Sequence, residues 1–175
     1  QKEIRGMTYF KFIDIKYNKQ PIIDFCLKYK DKWYPKGSGW ESPHLELRPN
    51  IRPEILEDFV FNPEVIKIYK QLDEQIHEGR IFFKFYEPGF SFRRHKDNLR
   101  QIGIILPLND DYSDTPLEFL DEEFNLLDSC SYTSPVAINA QVIHQVGTIK
   151  KQRWQMQISL YEPFNTYIQN NRLVK

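Results

Sequence analysis

Short segments rich in β-branched and aromatic residues fill the second half of the chain, and such segments need sheet partners for their backbone groups. Turn residues separate them, and they span residues 81–86, 101–108, 116–120, 136–139, 142–146 and 153–161. A helical pattern precedes them. It begins at Asn62 and Pro63, ends near Gly79, and has an apolar stripe formed by Val65, Ile68, Tyr69, Leu72 and Ile76. Helices followed by a block of strands predict a β-sandwich or barrel, mainly β, with N-terminal helices packed on one sheet.

The residues before this block are predicted to form a supporting layer. Residues 8–17 have the composition of a strand, Pro21 begins another helical pattern, and a short helix is expected after Pro53. Residues 33–53 contain enough Pro and Gly to predict a loop, with one short strand at 44–47. The length suits a single domain over residues 1–175, with supporting elements at 1–79, a strand-rich core at 80–163 and a tail at 164–175.

The composition weighs against several classes of protein. The 24 basic and 24 acidic residues balance, which argues against a long nucleic acid as partner. No apolar run reaches the roughly 18 residues that a membrane span needs, so no membrane segment is predicted. Cys26 and Cys130 could pair, but two cysteines in 175 residues fit reduced thiols and a cytoplasmic protein better.

The last strand-like segment has two different faces. Trp154, Met156, Ile158 and Leu160 alternate with a polar set formed by Arg153, Gln155, Gln157, Ser159 and Tyr161. One interpretation is an edge strand whose polar face is solvated. The other is that the apolar face packs on helices while the polar face lines a lumen. His144 precedes this segment in the same predicted hairpin, which favours the lumen.

Two histidines and one carboxylate form a candidate metal site. On an extended strand residues i and i+2 lie on one side, so His95 and Asp97 can reach the same ion, while His144 approaches from a separate strand. Such a set leaves coordination positions open and suits non-heme Fe(II), although Zn²⁺ could take the same ligands. The alternative for each histidine is a buried, hydrogen-bonded ring. His44 and His77 are assigned no catalytic role.

The residues around these ligands resemble the 2-oxoglutarate- and Fe(II)-dependent dioxygenases, in particular their prolyl-4-hydroxylase-like branch. The resemblance covers about residues 81–161. Residues 86–98 are similar to the first metal motif of that family, residues 104–109 to a strand that ends in an Asn-containing turn, and residues 138–153 to the second metal motif and a basic anchor. Asp114, Thr115 and Pro116 stand where the family usually has a Gly-Gly pair, which changes a turn but removes no ligand.

The resemblance implies a double-stranded β-helix, the jelly-roll or cupin-like fold, buttressed by helices. It implies Fe(II) bound by His95, Asp97 and His144, with 2-oxoglutarate and O₂ at the open positions and ascorbate as a candidate accessory reductant. The distal carboxylate of 2-oxoglutarate would bind Arg153. Tyr86 is a second candidate for that carboxylate, and its alternative role is that of a core aromatic residue.

The activity implied is hydroxylation of an unactivated C–H bond, with decarboxylation of 2-oxoglutarate to succinate. Asp97 favours hydroxylation over halogenation, because a halogenating relative needs the carboxylate position vacant. The leading substrate is an amino-acid side chain, free or in a polypeptide. The alternatives are a nucleobase or small metabolite as substrate, and a non-catalytic metal-binding jelly-roll module.

Two groups of side chains near the predicted site have open roles. Some basic residues could bind an anionic group of a substrate or could be solvated surface charges: Lys84, Arg93, Arg94 and Arg100. Some aromatic residues could shape a pocket or pack the helices: Trp33, Tyr34, Trp40 and residues 59–61.

Overall fold

A computed structural model describes residues 8–36, 44–76, 80–112, 115–170 and 173. Its strands are β1 (Phe10–Phe12), β2 (Tyr34–Lys36), β3 (His44–Leu47), β4 (Ile81–Tyr86), β5 (Phe92–His95), β6 (Ile102–Pro107), β7 (Leu117–Leu120), β8 (Leu126–Cys130), β9 (Val136–Asn139), β10 (Ile143–Val146) and β11 (Arg153–Leu160). Its α-helices are α1 (Lys19–Lys28), α2 (Pro53–Val60), α3 (Pro63–Leu72) and α4 (Phe164–Asn170). Short 3₁₀ turns span Lys30–Lys32 and Pro49–Ile51.

The strands form two antiparallel sheets. The larger sheet has the order β1-β9-β6-β11-β4-β3-β2, and the smaller has the order β5-β10-β7-β8. The eight strands from β4 to β11 are divided between them, with β4, β6, β9 and β11 in the larger sheet and β5, β7, β8 and β10 in the smaller. This is the jelly-roll arrangement. The predicted mainly β sandwich with helices on one sheet is therefore confirmed.

Two apolar layers lie on opposite faces of the larger sheet. The outer layer joins the helices to that sheet through fully buried side chains, among them Ile22, Phe59, Ile68, Phe83, Ile104 and Ile158. The inner layer, between the two sheets, includes Tyr86, Ile105, Phe119, Tyr132, Ile138 and Val146. Cys26 lies in the outer layer and Cys130 in the inner one, and both thiols are free.

Strand β11 is central in the larger sheet, between β6 and β4. Met156, Ile158 and Leu160 lie in the outer layer, with Trp154 packed against it. Arg153, Gln155 and Gln157 line the cavity between the sheets. The prediction that the polar face of this strand lines a lumen is confirmed.

The helix starts follow from side-chain caps. Asn62 caps α3 by accepting hydrogen bonds from the N–H groups of Glu64 and Val65 at 3.0 and 3.3 Å. The predicted continuation of α3 through Ile76 is wrong, because Asp73 adopts a left-handed conformation with φ of 56° and ends the helix. His77 and Gly79 lie outside the described residues. Helix α1 begins at Lys19, earlier than predicted, because Asn18 caps it.

Several strands and one helix of the structure differ from the predicted elements, mainly at sheet edges and in loops. The strand predicted at 8–17 is reduced to β1, since its partner β9 begins after Pro135, which has no N–H to continue the ladder. Strands β2 and β8 were not predicted: β2 contains Pro35 at a sheet edge, and residues 126–129 of β8 are exposed on both faces. Part of the predicted C-terminal tail forms α4, which buries Phe164 and Tyr167.

The N-terminal aromatic residues that the structure describes mostly pack the helical layer. Trp33 stacks on Phe85 with ring centroids 3.7 Å apart, and Phe59 is fully buried beside Phe25. Phe61 is exposed and Trp40 lies outside the described residues. None of the described helices combines the length and the apolar character needed to cross a bilayer.

Removing the cap of α3 tests how this layer is stabilised. We expect Asn62→Ala to lower the free energy of unfolding by about 1 kcal/mol, because two backbone N–H groups lose their acceptor. Urea unfolding followed by circular dichroism measures the change. Asn62→Asp keeps an acceptor and should stay close to the wild type; an equal loss in both variants would contradict the capping role.

Candidate functional site

His95 and His144 are brought together by strand pairing. They are directly opposite each other in the register of β5 and β10, and their ring centroids are 4.5 Å apart. The side chain of His144 is buried, whereas that of His95 is 30 % exposed. The predicted approach of the second histidine from a separate strand is therefore what the structure shows.

Each imidazole has one nitrogen fixed by the backbone. Nδ1 of His95 lies 2.7 Å from the carbonyl oxygen of Arg93, and Nδ1 of His144 lies 2.7 Å from that of Val142. Because a carbonyl oxygen only accepts, both Nδ1 atoms carry a proton, and Nε2 is the nitrogen of each ring that could bind a metal ion. Metal-binding histidines usually have this second hydrogen bond.

Burial, and then the adjacent His95 ring, lower the pKa of His144 to about 4, against the raising effect of its hydrogen bond to Val142. The His144 imidazole is therefore neutral near pH 7. A neutral imidazole is the form that binds a metal ion.

Asp97 lies just beyond the end of β5 rather than on the strand, so the alternation that predicted it on the same side as His95 does not apply. Its N–H donates to the carbonyl of Ala140 at 3.0 Å. Its Oδ2 accepts from Nε and Nη2 of Arg100 at 2.9 and 2.8 Å, and its Oδ1 lies 3.9 Å from Nε2 of His95. One carboxylate oxygen is thus held by Arg100, and the other is nearer His95.

The three proposed ligand side chains lie on adjacent segments, but their donor atoms do not converge on a single position. In the part of the chain that the structure describes, no three His, Cys, Asp or Glu side chains are grouped tightly enough to hold an ion as they stand. The chemistry of the set still fits a divalent ion: two imidazoles whose Nδ1 atoms donate to backbone carbonyls, and one carboxylate.

Arg153 is the first residue of β11 and is directly opposite Tyr86 of β4. It is only 3 % exposed, and it lines the same cavity as His144. Its guanidinium lies over the rings of Tyr112 and Tyr132, at 5.3 and 5.6 Å from their centroids, and its Nη2 donates to the carbonyl of Thr115. The predicted anchor thus faces the lumen, and its partner Thr115 belongs to the segment that stands in place of the Gly-Gly pair.

Tyr86 belongs to the layer between the sheets and not to the helical layer. Burial raises its pKa well above the ordinary tyrosine value, so its hydroxyl stays protonated and can donate a hydrogen bond. The cross-strand position beside Arg153 fits the second-anchor role, and the packing of the ring against Phe90 fits the role of a core aromatic residue.

Two tyrosines between the sheets were not predicted from the sequence, and both contact Gln155. The hydroxyl of Tyr112 donates to Oε1 of Gln155, and the hydroxyl of Tyr132 donates to the same atom at 3.3 Å. Gln155 belongs to the polar face of β11 that the alternation predicted. Tyr112 and Tyr132 lie in connections between strands, where no periodicity indicates which way a side chain points.

The basic residues near the ligands divide into two groups. Arg93 and Arg94 are exposed, and Arg94 lies over Phe124 at 3.9 Å from the ring centroid. Lys84 and Arg100 line the cavity. Burial lowers the pKa of Lys84 to about 8, against the attraction of Glu46.

A buried charged cluster adjoins the cavity at β3. The side chains of His44 and Glu46 are each 2 % exposed, and Nε2 of His44 donates to Oε1 of Glu46 at 3.1 Å. Lys84 lies 3.5 Å from the same oxygen, and Arg48 lies 3.4 Å from Oε2. Burial alone would raise the pKa of Glu46, but the His44 hydrogen bond, Lys84 and Arg48 lower it to about 2.

The fold is shared with known structures, while sequence comparison alone matches no family model and no curated protein. A prolyl-4-hydroxylase from Pseudomonas putida is 14 % identical, with a TM-score of 0.55 over 89 % of this chain and 94 % of that chain. A prolyl hydroxylase from Trichoplax adhaerens, in complex with a hypoxia inducible factor peptide fragment, is 12 % identical, with a TM-score of 0.56 over 89 % and 84 %. HygX from Streptomyces hygroscopicus, with nickel and 2-oxoglutarate bound, is 9 % identical, with a TM-score of 0.55 over 90 % and 84 %.

These likenesses define the class of fold. The chain has the double-stranded β-helix of the 2-oxoglutarate/Fe(II) oxygenases, with prolyl hydroxylases among its structural neighbours. The family resemblance drawn from the metal motifs is confirmed at the level of the fold, because identities of this size establish the fold and not the activity.

The Glu46 cluster predicts a specific pH dependence of stability. Its pKa of about 2 in the folded protein lies below the ordinary value of 4.5, so the ionised carboxylate stabilises the fold above pH 4.5. That stabilisation, on the order of 3 kcal/mol, is lost as the pH falls from 4.5 toward 2. Urea unfolding between pH 6 and 3 should show a smaller acid loss in Glu46→Gln than in the wild type. The exposed Glu57, changed to Gln, is the control; the same reduced acid loss in both variants would contradict the assignment.

Proposed function

We propose that the protein is a 2-oxoglutarate- and Fe(II)-dependent dioxygenase that hydroxylates an unactivated C–H bond of an amino-acid side chain, free or peptidyl. The observation that carries the proposal is that His144 and Arg153 line one cavity, with His95 and Asp97 adjoining it. A metal site and an anion anchor in a shared lumen are what a chelating dicarboxylate requires. On this proposal residues 80–163 are the catalytic core of a single domain and residues 1–79 are its supporting layer.

The chain's own residues have distinct tasks. His95, Asp97 and His144 would hold Fe(II). When bound, this ion would supply the activation of O₂ that is coupled to the decarboxylation of 2-oxoglutarate to succinate. Arg153 would pair in a bidentate way with the distal carboxylate, and Tyr86 would donate a hydrogen bond to it. The apolar walls of the cavity limit the access of water, which strengthens those charged contacts; they are Phe90, Ile105, Leu117, Ile138, Val146 and Ile149.

Support for the substrate class comes from the neighbours and from a groove. The Trichoplax adhaerens enzyme is a prolyl hydroxylase with a peptide bound, and HygX has nickel and 2-oxoglutarate bound. In this chain an open groove adjoins His95 and Asp97, and its walls include Arg48, Phe82, Phe92, Leu99 and Tyr161. A groove of this kind suits a side chain presented on a peptide or as a free amino acid. Asp97 favours hydroxylation over halogenation.

Metal and co-substrate binding can be tested together. We expect anaerobic addition of Fe(II) and 2-oxoglutarate to the metal-free protein to produce a visible charge-transfer band, because the co-substrate chelates a metal with open positions. His144→Ala should lose the band and the formation of succinate. Gln145→Ala, at the next position of β10, is the control and should keep both. A wild type that gives no band would favour the non-catalytic binding module.

Arg153 makes a separate prediction. Arg153→Ala should raise the concentration of 2-oxoglutarate needed for half-maximal succinate formation roughly 10- to 100-fold, because a hydrogen-bonded charge pair is lost. The requirement for Fe(II) should change much less. Arg153→Lys keeps the charge without the planar fork and should give an intermediate value. Equal changes in the two requirements would count against the assigned role.

A further inference from the structure

Two connections between the sheets are joined side by side next to the candidate ligands. Residues 96–101 lead from β5 to β6 and contain Asp97, while residues 140–142 lead from β9 to β10 and precede His144. The N–H of Asp97 donates to the carbonyl of Ala140 at 3.0 Å, and the N–H of Ala140 donates to the carbonyl of Gln101 at 3.0 Å. The two connections therefore share a short ladder of backbone hydrogen bonds.

The side chain of Gln141 strengthens this junction. Its Nε2 donates to the carbonyl of Asp97 at 2.8 Å and to the carbonyl of Arg100 at 2.7 Å. Because both partners are carbonyl oxygens, which only accept, the amide nitrogen must be the atom that faces them. One half-buried amide thus spans the whole turn of residues 97–100 from the neighbouring connection.

Within that turn the carboxylate of Asp97 is oriented by Arg100. Nε and Nη2 of Arg100 both donate to Oδ2, while its Nη1 donates to Oε1 of Gln157 on β11 at 3.0 Å. Gly103 packs beside this guanidinium: a Cβ there would meet Cζ of Arg100 at 3.4 Å and Cγ1 of Ile138 at a tighter 3.1 Å. With Oδ2 held, Oδ1 is the oxygen nearer His95.

We propose that Gln141 is a positioning residue that locks the turn of residues 97–100 against the connection before His144 and so sets the carboxylate of Asp97 relative to the two imidazoles. The inference rests on the proposed function, in which these three residues bind the metal. Loss of an outer hydrogen-bonding partner typically weakens metal binding by about 10- to 100-fold. Gln141 acts on Asp97 through the backbone of residues 97–100. No alternation or motif in the sequence indicates this contact.

A matched pair of substitutions separates positioning from general stability. Gln141→Met keeps the length of the side chain and removes its donors. Gln145→Met makes the same change on the other side of His144, where Nε2 of Gln145 donates to Glu118 of β7 at 3.3 Å and does not contact the Asp97 turn. Gln141→Asn, which shortens the amide by one methylene, is the second variant if Gln141→Met does not fold.

The first measurement is hydrogen exchange of the metal-free protein. We expect faster exchange in a peptide that covers residues 93–101 in Gln141→Met, with the rate unchanged in Gln145→Met. The second is titration of the metal-free protein with Co(II), followed by its visible absorption. We expect Gln141→Met to bind Co(II) about 10- to 100-fold more weakly than the wild type, and Gln145→Met to bind within about threefold, roughly 0.65 kcal/mol at RT of 0.59 kcal/mol.

The outcomes distinguish this inference from the proposed function. Unchanged exchange over residues 93–101, or a Co(II) affinity of Gln141→Met equal to that of the wild type, would overturn the positioning role alone. A wild type that binds no Co(II) would overturn the metal site, and the positioning role with it. Equal weakening in the Gln141 and Gln145 variants would show a general loss of structure and would also overturn it.

Discussion

The pairing of β5 with β10 is the constraint on which the rest of the site depends. It places His144 opposite His95, and β7 on the other side of β10 fixes the same register through Phe119. Because side chains alternate along a strand, a shift of one residue would turn His144 away from the lumen. The hydrogen bond from Nδ1 of each histidine to a backbone carbonyl then fixes the orientation of the imidazole ring.

The helical layer and the lumen are coupled through β11. Met156, Ile158 and Leu160 are buried against the helices, and the same strand presents Arg153, Gln155 and Gln157 to the cavity. Packing on one face therefore determines which residues stand on the other. A displacement of the apolar face by one residue would expose the helical core and bury the guanidinium among apolar side chains, which is costly. Stability and anchor placement are thus set by one strand.

The sequence predicted those parts of the site that depend on periodicity or on ligand chemistry. Alternation in β11 indicated the lumen-facing set, and ligand chemistry predicted His95, Asp97 and His144 as a donor set followed by Arg153 as its proposed anchor. The sequence could not predict the contacts that depend on the geometry of the turn of residues 97–100. Arg100 contacts the carboxylate of Asp97 within that turn, and Gln141 reaches the same turn from a connection 44 positions further along the chain.

The lack of a local sequence pattern also explains the wrong predictions at sheet edges and strand ends. Strand β8 lacks a buried face along residues 126–129, so alternation could not indicate it. Asp97 was placed on a strand because the spacing of two from His95 fits one, whereas the strand ends at His95 and the turn to β6 carries the carboxylate. The short strand predicted at 44–47 is β3, but no pattern indicated that His44 would be buried there with Glu46 as its hydrogen-bond partner.

Charge in the lumen supports an anionic occupant. Lys84, Arg100 and Arg153 line the cavity, while the adjacent carboxylates are Glu46 and Asp97. Each of these two carboxylates already has a cation within 3.5 Å, which leaves the buried set with an excess of positive charge. A divalent ion at His95, Asp97 and His144 would increase that excess, and burial makes it costly to leave uncompensated. A doubly charged small acid would neutralise the added ion, so on the proposed function metal and co-substrate should bind with positive coupling.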